Sequence, residues 1–230
     1  MERLYADHPE LYDAIQSGWD YDRDVGFVLG RAADHGVEPR DLLEVGCGTG
    51  EHTRRVLAEG LAVTAVDRHR GTLEAARGKC DAEFVQGALP DLPVDGRFDL
   101  AVALRGVVNH LPPGALDDAL GALAAQVADG GLMILDNSPL PPDGNEPALD
   151  VGRTDGGRYA LVARMRPRED GRLAWNSVVF ADGDAVVDSR PMTPFEDATV
   201  AEALRRRGLD VETHDGFGPG DDRTVFVGSG

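Results

Sequence analysis

The sequence has few cysteines and no long apolar run. Its 230 residues include only two cysteines, Cys47 and Cys80, which cannot form the disulfide framework of a small secreted domain. No stretch approaches the roughly 18 consecutive apolar residues of a membrane-spanning helix, and the first residues lack the apolar core of a signal peptide. These absences predict a cytoplasmic protein with no membrane partner.

Positive charge is also scarce. Lys and Arg total 23 against 41 Asp and Glu, which gives a formal net charge of −18, and Lys79 is the only lysine. A surface this negative repels phosphate backbones, so we expect no nucleic-acid partner. Two explanations of the composition stay open. One is adaptation to high salt, where screening removes self-repulsion, and the other is a GC-rich genome whose codons favour Arg and Asp.

Strand and helix patterns alternate along most of the chain. A helical pattern over 10–34 with a break at Gly18 precedes a buried strand at 41–45, and further helices and strands alternate up to residue 135. One helix is predicted over 115–128, ended by Gly130-Gly131. This alternation predicts an α/β fold with a doubly wound parallel sheet. Three short strands after a proline-rich loop then predict an antiparallel β excursion.

The strongest motif is Glu44-Val45-Gly46-Cys47-Gly48-Thr49-Gly50, which follows a strand and opens a helix. Glycines there let the backbone approach a ligand, and the helix start offers free N–H groups. Asp67 lies 21 residues after Gly46 at the end of the next strand. A carboxylate in that place can accept hydrogen bonds from both ribose hydroxyls. The glycine spacing differs from the dinucleotide motif, which argues against a nicotinamide-dependent oxidoreductase.

The stretch 42–50 resembles motif I of class I S-adenosylmethionine-dependent methyltransferases, and Asp67 matches the residue that holds the ribose in that family. A second resemblance covers nearly the whole chain. The segment with Tyr12 and Tyr21, the loop 106–111 and the β excursion are similar to small-molecule methyltransferases that dimethylate amino sugars.

The resemblance implies a Rossmann-like, mainly parallel sheet of seven strands, with S-adenosylmethionine as cofactor. It implies methyl transfer to N or O of a small-molecule acceptor. It also implies a single domain over 1–230 with four parts, namely a helical cap (1–36), a cofactor-binding core (41–137), the β excursion (139–195) and a closing helix and strand pair (196–230).

The cofactor-binding residues follow from the same resemblance. Cap tyrosines are expected to close over the methionine moiety, and the other residues lie at strand ends. The predicted set is Tyr12, Tyr21, Glu44, Gly46, Cys47, Gly48, Thr49, Gly50, Asp67, Arg68, Gly87, Ala88, Leu89 and Leu104. Family members often carry an acid after the third strand for the adenine amine. Here the pair is Gly87-Ala88, so backbone groups near Ala88 and Leu89 are expected to bind adenine.

Two residues are candidates for catalysis. His110 is the candidate general base, because an unperturbed imidazole has a pKa near neutrality, and Tyr21 is the second candidate. Arg105, Asn109 and His110 are predicted to contact the acceptor, although each could be an ordinary loop residue.

No metal is predicted. Asp136-Asn137 is similar to part of the metal site of catechol-type methyltransferases, but that site also needs an acid where this chain has Leu104-Arg105. Other function classes stay open at this point. A non-catalytic S-adenosylmethionine-binding module would keep the motif and lack an acceptor cleft, and an oxidoreductase is the weaker alternative. The excursion strands could form a lid or the interface of a homodimer.

Overall fold

A computed structural model describes residues 2–230. The α-helices are α1 (Arg3–Ala6), α2 (Pro9–Gln16), α3 (Tyr21–Asp34), α4 (Glu51–Ala58), α5 (Arg70–Arg77), α6 (Leu116–Ala124) and α7 (Asp197–Arg206). The strands are β1 (Asp41–Val45), β2 (Ala62–Asp67), β3 (Glu83–Gln86), β4 (Phe98–Ala103), β5 (Val127–Asn137), β6 (Ala148–Arg153), β7 (Arg158–Pro167), β8 (Leu173–Ala181), β9 (Asp184–Met192), β10 (Asp210–Asp215) and β11 (Thr224–Ser229). Two short 3-10 helices lie at Val107–His110 and Pro113–Ala115.

The main sheet has seven strands in the order β10-β11-β5-β4-β1-β2-β3, which confirms the predicted fold. The five neighbouring strands β3-β2-β1-β4-β5 pair in parallel, and β11 is antiparallel to both of its neighbours, β5 and β10. Alternate residues of β1 enter two cores. Leu43 packs with α6 and α7, whereas Leu42 packs with α3 and α4. Within residues 2–230, no helix is long and apolar enough to cross a membrane.

The predicted helix over 115–128 is wrong at its carboxyl end. Helix α6 stops at Ala124, and Val127 already pairs with Phe98 in β5. Gly130 has a φ of +78° inside an irregular stretch of that strand. A Cβ atom at Gly131 would lie 2.7 Å from the carbonyl oxygen of Asp99. The two glycines therefore belong to a strand irregularity and do not end a helix.

The excursion forms a separate antiparallel sheet in the order β6-β7-β8-β9. It has one strand more than predicted, because β6 is mostly exposed and follows a proline-rich loop. One face of the sheet packs against the start of the chain. Leu4 and Leu11 form a small core with Tyr159 and Val179 on this face. The excursion and the amino-terminal helices are therefore packed together.

Candidate active site

A cavity lies where the chain leaves the carboxyl ends of β1, β2, β3 and β4, and tyrosines of the first three helices cover it. Parallel strands bring such loops together at one edge of the sheet. Its lining comprises Tyr5, Tyr12, Tyr21, Val45, Gly46, Cys47, Gly48, Thr49, Glu51, His52, Asp67, Arg68, His69, Gly87, Ala88, Leu89, Leu104, Arg105, Val107, His110, Leu111 and Pro112. The turn residues 46–49, Asp67, Arg105 and His110 therefore face one space.

The turn after β1 is open because three of its five residues, at positions 46–50, are glycines. Gly46, Gly48 and Gly50 have φ angles of +76°, +54° and +80°, a region that glycine adopts without strain. A Cβ atom at Gly46 would lie 2.5 Å from Cγ2 of Val107. Cys47 is buried, and burial raises the pKa of its thiol, which therefore stays protonated.

Asp67 presents an ionised carboxylate to the cavity. Its Oδ2 accepts the N–H of Gly48 at 2.9 Å, and its Oδ1 accepts the N–H of His69 at 2.8 Å and the hydroxyl of Thr72 at 3.0 Å. Burial opposes ionisation, but hydrogen bonds from His69 and Gly48 outweigh it and keep the pKa of Asp67 below its ordinary value. An ionised acceptor beside a glycine turn suits a ligand with a vicinal diol, such as a ribose. The adenosine part of S-adenosylmethionine fits this chemistry.

Three of the predicted site residues do not line the cavity, namely Glu44, Gly50 and Asn109. Glu44 is 2% exposed and accepts the hydroxyl of Thr53 at 2.6 Å, and burial raises the pKa of Glu44 to about 7. Gly50 precedes α4, where a Cβ atom would meet the side chain of Ala76 at 3.0 Å. Both residues support the turn from behind.

Asn109 is buried in a cluster of hydrogen-bonded groups and does not line the cavity. Its Nδ2 donates to Oδ1 of Asn137 at 2.8 Å and to the carbonyl of Thr193 at 3.0 Å, and its Oδ1 accepts the N–H of Ser138 at 2.9 Å. These bonds use the whole side-chain amide. Asn109 therefore fixes the loop that carries His110. Among residues 2–230, no group of three or more His, Cys, Asp or Glu side chains could hold a metal ion.

His110 is held as a neutral imidazole. Burial, with the nearby guanidinium groups of Arg190 and Arg68, lowers the pKa of His110 to about 3. The buried Nδ1 has no hydrogen-bond partner among the described residues. A neutral imidazole has one unprotonated nitrogen that can accept a hydrogen bond, but with this pKa it is a weak proton acceptor near neutral pH.

Tyr5 is a lining residue that the sequence reasoning missed. Its ring lies 4.9 Å from Tyr12, 5.4 Å from His69 and 6.0 Å from His110, measured between centroids. It sits in the four-residue helix α1, and Asp188 of β9 accepts the N–H of the neighbouring Leu4 at 3.3 Å. No local sequence signal marks this contact.

His52 and Glu51 were also missed, and here a signal existed. They begin the helix that follows the glycine motif. Residues in the first turn of such a helix face the same ligand as the turn itself. His52 contacts the ring of Tyr21 at 4.9 Å and Asp24 at 3.1 Å.

A family model matches part of the chain, and individual relatives and a solved structure match nearly all of it. A family model described as a methyltransferase domain matches residues 42–131. The chain is 29% identical to the dTDP-3-amino-3,4,6-trideoxy-alpha-D-glucopyranose N,N-dimethyltransferase of Streptomyces venezuelae, over 97% of this chain and 98% of the relative. It is 26% identical to the dTDP-3-amino-3,6-dideoxy-alpha-D-glucopyranose N,N-dimethyltransferase of Streptomyces fradiae, over 95% of this chain and 89% of the relative. The crystal structure of Streptomyces venezuelae DesVI matches with a TM-score of 0.86 at 26% identity, over 97% of this chain and 98% of that one.

These matches coincide with the features that form the cavity. The family model spans β1 to β5, the strands that carry the glycine turn and Asp67. The relatives and the solved structure extend the similarity to the amino-terminal helices and the second sheet. The cofactor is S-adenosylmethionine, and the chain is an S-adenosylmethionine-dependent methyltransferase that acts on a small-molecule acceptor.

Proposed function

We propose that the methyl acceptor is the amino group of a nucleotide-linked amino sugar. The observation that carries this proposal is the extent of the similarity to the two sugar N,N-dimethyltransferases. It runs through the cap and the excursion as well as the cofactor core. The cap helices line the cavity and the excursion sheet packs against them, so a shared arrangement of both parts favours a shared class of acceptor.

The cofactor roles follow from the geometry of the cavity. When bound, S-adenosylmethionine supplies a methyl group on a sulfonium, which a nucleophile can displace in line. Asp67 would accept hydrogen bonds from the ribose, and the glycine turn at 46–50 would hold the methionine end. Backbone groups of Ala88 and Leu89 would bind the adenine. Tyr12 and Tyr21 would cover the reacting end and exclude water.

The acceptor side suits an amine that arrives with its lone pair free. Neutral His110 adds no positive charge, and an unprotonated nitrogen of its ring would accept a hydrogen bond from the amine N–H. Such a contact orients the lone pair, and orientation can supply about 7–11 kcal/mol of the barrier reduction in well-aligned systems. His110 would therefore act mainly by alignment, and the weak basicity of its ring makes it a modest general base.

The test is a methylation assay with the purified protein, S-adenosylmethionine and a dTDP-linked 3-amino-3,6-dideoxyglucose. Mass spectrometry should show products heavier by one and then two methyl groups. The matched control is the same sugar nucleotide with a hydroxyl in place of the amine, which should stay unmodified. Methylation of the hydroxyl control alone would replace the N-methyltransferase proposal by an O-methyltransferase.

We further propose that two copies of the chain pair through the outer face of the second sheet. The exposed large apolar side chains of residues 2–230 all lie on this face, and they are Leu149, Val151, Val162, Phe180 and Val187. The pairing register places them in two adjacent rows across the four strands. A contiguous apolar face of this kind marks an interaction site.

The charges around this face favour a second copy as the occupant. Arg164 and Arg166 follow the apolar rows on β7 towards one end of the sheet. The turns at the other end carry Asp155, Asp182 and Asp184, beside Arg153 and Arg158. An antiparallel two-fold arrangement would superpose the apolar rows and bring the arginine end of one copy to the acidic turns of the other.

A further inference from the structure

Arg105 has a backbone conformation that residues other than glycine rarely adopt. Its φ is +65°, and among residues 2–230 the other non-glycine residue with a positive φ is Asp182, in the turn between β8 and β9. Arg105 lies two residues after the end of β4 and lines the cavity. Left-handed residues of this kind persist only where the surrounding structure holds them, and they concentrate at functional sites.

Asp136 holds this turn in place. Its carboxylate accepts the backbone N–H of Arg105 at 2.5 Å and that of Gly106 at 2.8 Å. Asp136 is fully buried at the end of β5, and Arg223 lies 3.3 Å from its Oδ2. A buried carboxylate is costly unless it is paired and hydrogen-bonded. The buried ion pair of Asp136 and Arg223 therefore stabilises the backbone conformation of Arg105.

This geometry directs the guanidinium of Arg105 to the cap. The group lies over the ring of Trp19, 4.2 Å from its centroid. Its Nη1 donates to the hydroxyl oxygen of Tyr21 at 3.0 Å, and its Nη2 donates to Oε1 of Gln16. These bonds occupy both terminal nitrogens with groups of the protein itself.

The contact defines what the hydroxyl of Tyr21 can do. Tyr21 is 7% exposed and lines the cavity. Burial raises the pKa of Tyr21, with Arg105 opposing the shift, so the phenol keeps its proton. Because its oxygen accepts from Arg105, the O–H of Tyr21 remains available to donate to a ligand in the cavity.

We propose that Arg105 is a positioning residue that acts through Tyr21, fixing the phenol so that its O–H donates to the bound cofactor. Arg105 itself does not contact the methyl acceptor. The proposal rests on the proposed role of Tyr21 in covering the cofactor. It differs from the direct acceptor contact that the sequence suggested for Arg105.

The test is a double-mutant cycle read by calorimetric titration with S-adenosylhomocysteine, which needs no acceptor. The variants are R105G, Y21F and the double variant. Glycine adopts a φ of +65° without strain and keeps the N–H that Asp136 accepts, so R105G removes the side chain alone. Each single variant should raise the Kd about tenfold, the size expected for a hydrogen bond to a charged group. The double variant should also raise it about tenfold, and not a hundredfold.

Three controls separate positioning from a structural effect. R105K keeps one donor and should restore part of the affinity. R97G also removes an arginine side chain, here an exposed one that does not line the cavity, and should leave the Kd unchanged. The melting temperature of R105G should stay within a few degrees of the wild type. An unchanged Kd in R105G, or effects that multiply in the double variant, would overturn the proposal. A wild type that fails to bind S-adenosylhomocysteine would overturn the cofactor site, and the role of Arg105 with it.

Discussion

At the scale of single residues, Asp67 is the side chain on which cofactor binding depends most directly. We expect D67N to weaken S-adenosylhomocysteine binding at least tenfold, because it removes about 1.5–3 kcal/mol of charge-assisted hydrogen bonding. An amide would also place a donor NH2 group beside the backbone N–H of Gly48 or of His69, from which the carboxylate now accepts hydrogen bonds. Calorimetric titration measures the change. The control is D129N, which alters a fully exposed carboxylate. Equal affinities in the two variants would contradict the assignment of Asp67.

Glu44 makes stability depend on pH at the same scale. Burial raises its pKa to about 7 in the folded state, against an ordinary value of 4.5, and the hydrogen bond from Thr53 only partly offsets this. The folded state therefore binds the proton more tightly. The resulting stabilisation is complete below about pH 4.5 and is lost as the pH rises through about 7.

The variant E44Q cannot ionise and keeps an oxygen for Thr53. The melting temperature of E44Q minus that of the wild type should increase by several degrees from pH 5 to pH 8. The pKa shift of Glu44 corresponds to about 3 kcal/mol of stability. Thermal unfolding in both buffers measures the difference. E59Q, which changes an exposed carboxylate, should show no such trend. A difference between E44Q and the wild type that does not grow with pH would contradict the raised pKa.

At the scale of elements, the first two helices are tied to the segments that line the cofactor cavity. Lys79 bridges Asp13 of α2 at 2.5 Å and Glu51 of α4 at 3.0 Å, and Asp13 also accepts the hydroxyl of Thr49 in the glycine turn. Glu2 accepts from His69, which follows Asp67. Movement of the cap therefore breaks contacts on both sides of the cofactor.

Because Lys79 is the only lysine, its reactivity reports on the position of the cap. Acetylation by an amine-reactive ester, followed by peptide mass spectrometry, should slow when S-adenosylhomocysteine is bound. D13N removes one partner of the ammonium and should accelerate labelling severalfold in the free protein. E10Q, an exposed change on the same helix, should leave the rate unchanged. Equal rates with and without ligand would show that the cap does not respond to the cofactor.

Elements and residues differed in how well the sequence predicted them. The glycine turn and Asp67 were predictable because a strand end, its turn and the next strand lie close in the chain. Tyr5 was not, because its place depends on a contact between Leu4 and Asp188, 184 residues away. The end of α6 was misjudged because a glycine pair is typical both of a helix end and of an irregular strand.

At the scale of the whole molecule, net charge and the apolar outer face act in opposite directions. A formal net charge of −18 on each copy repels a second copy, while the face with Phe180 and Val187 attracts one. The screening length falls from about 10 Å at 0.1 M salt to about 3 Å at 1 M, so added salt weakens the repulsion between copies. The stabilisation from apolar burial remains. Association should therefore strengthen as potassium chloride rises.

Sedimentation velocity should show a dimer whose dissociation constant falls between low and molar potassium chloride. F180D places a charge in the apolar rows and should give a monomer at all salt concentrations, because an unpaired buried charge costs several kcal/mol. A198D adds the same charge at an exposed site in the first turn of α7, where a carboxylate is favourable, and should still dimerise. If F180D and A198D behave alike, the outer face is not the interface. If the wild type is monomeric in molar salt, the chain does not pair through this face, and its apolar rows need another explanation.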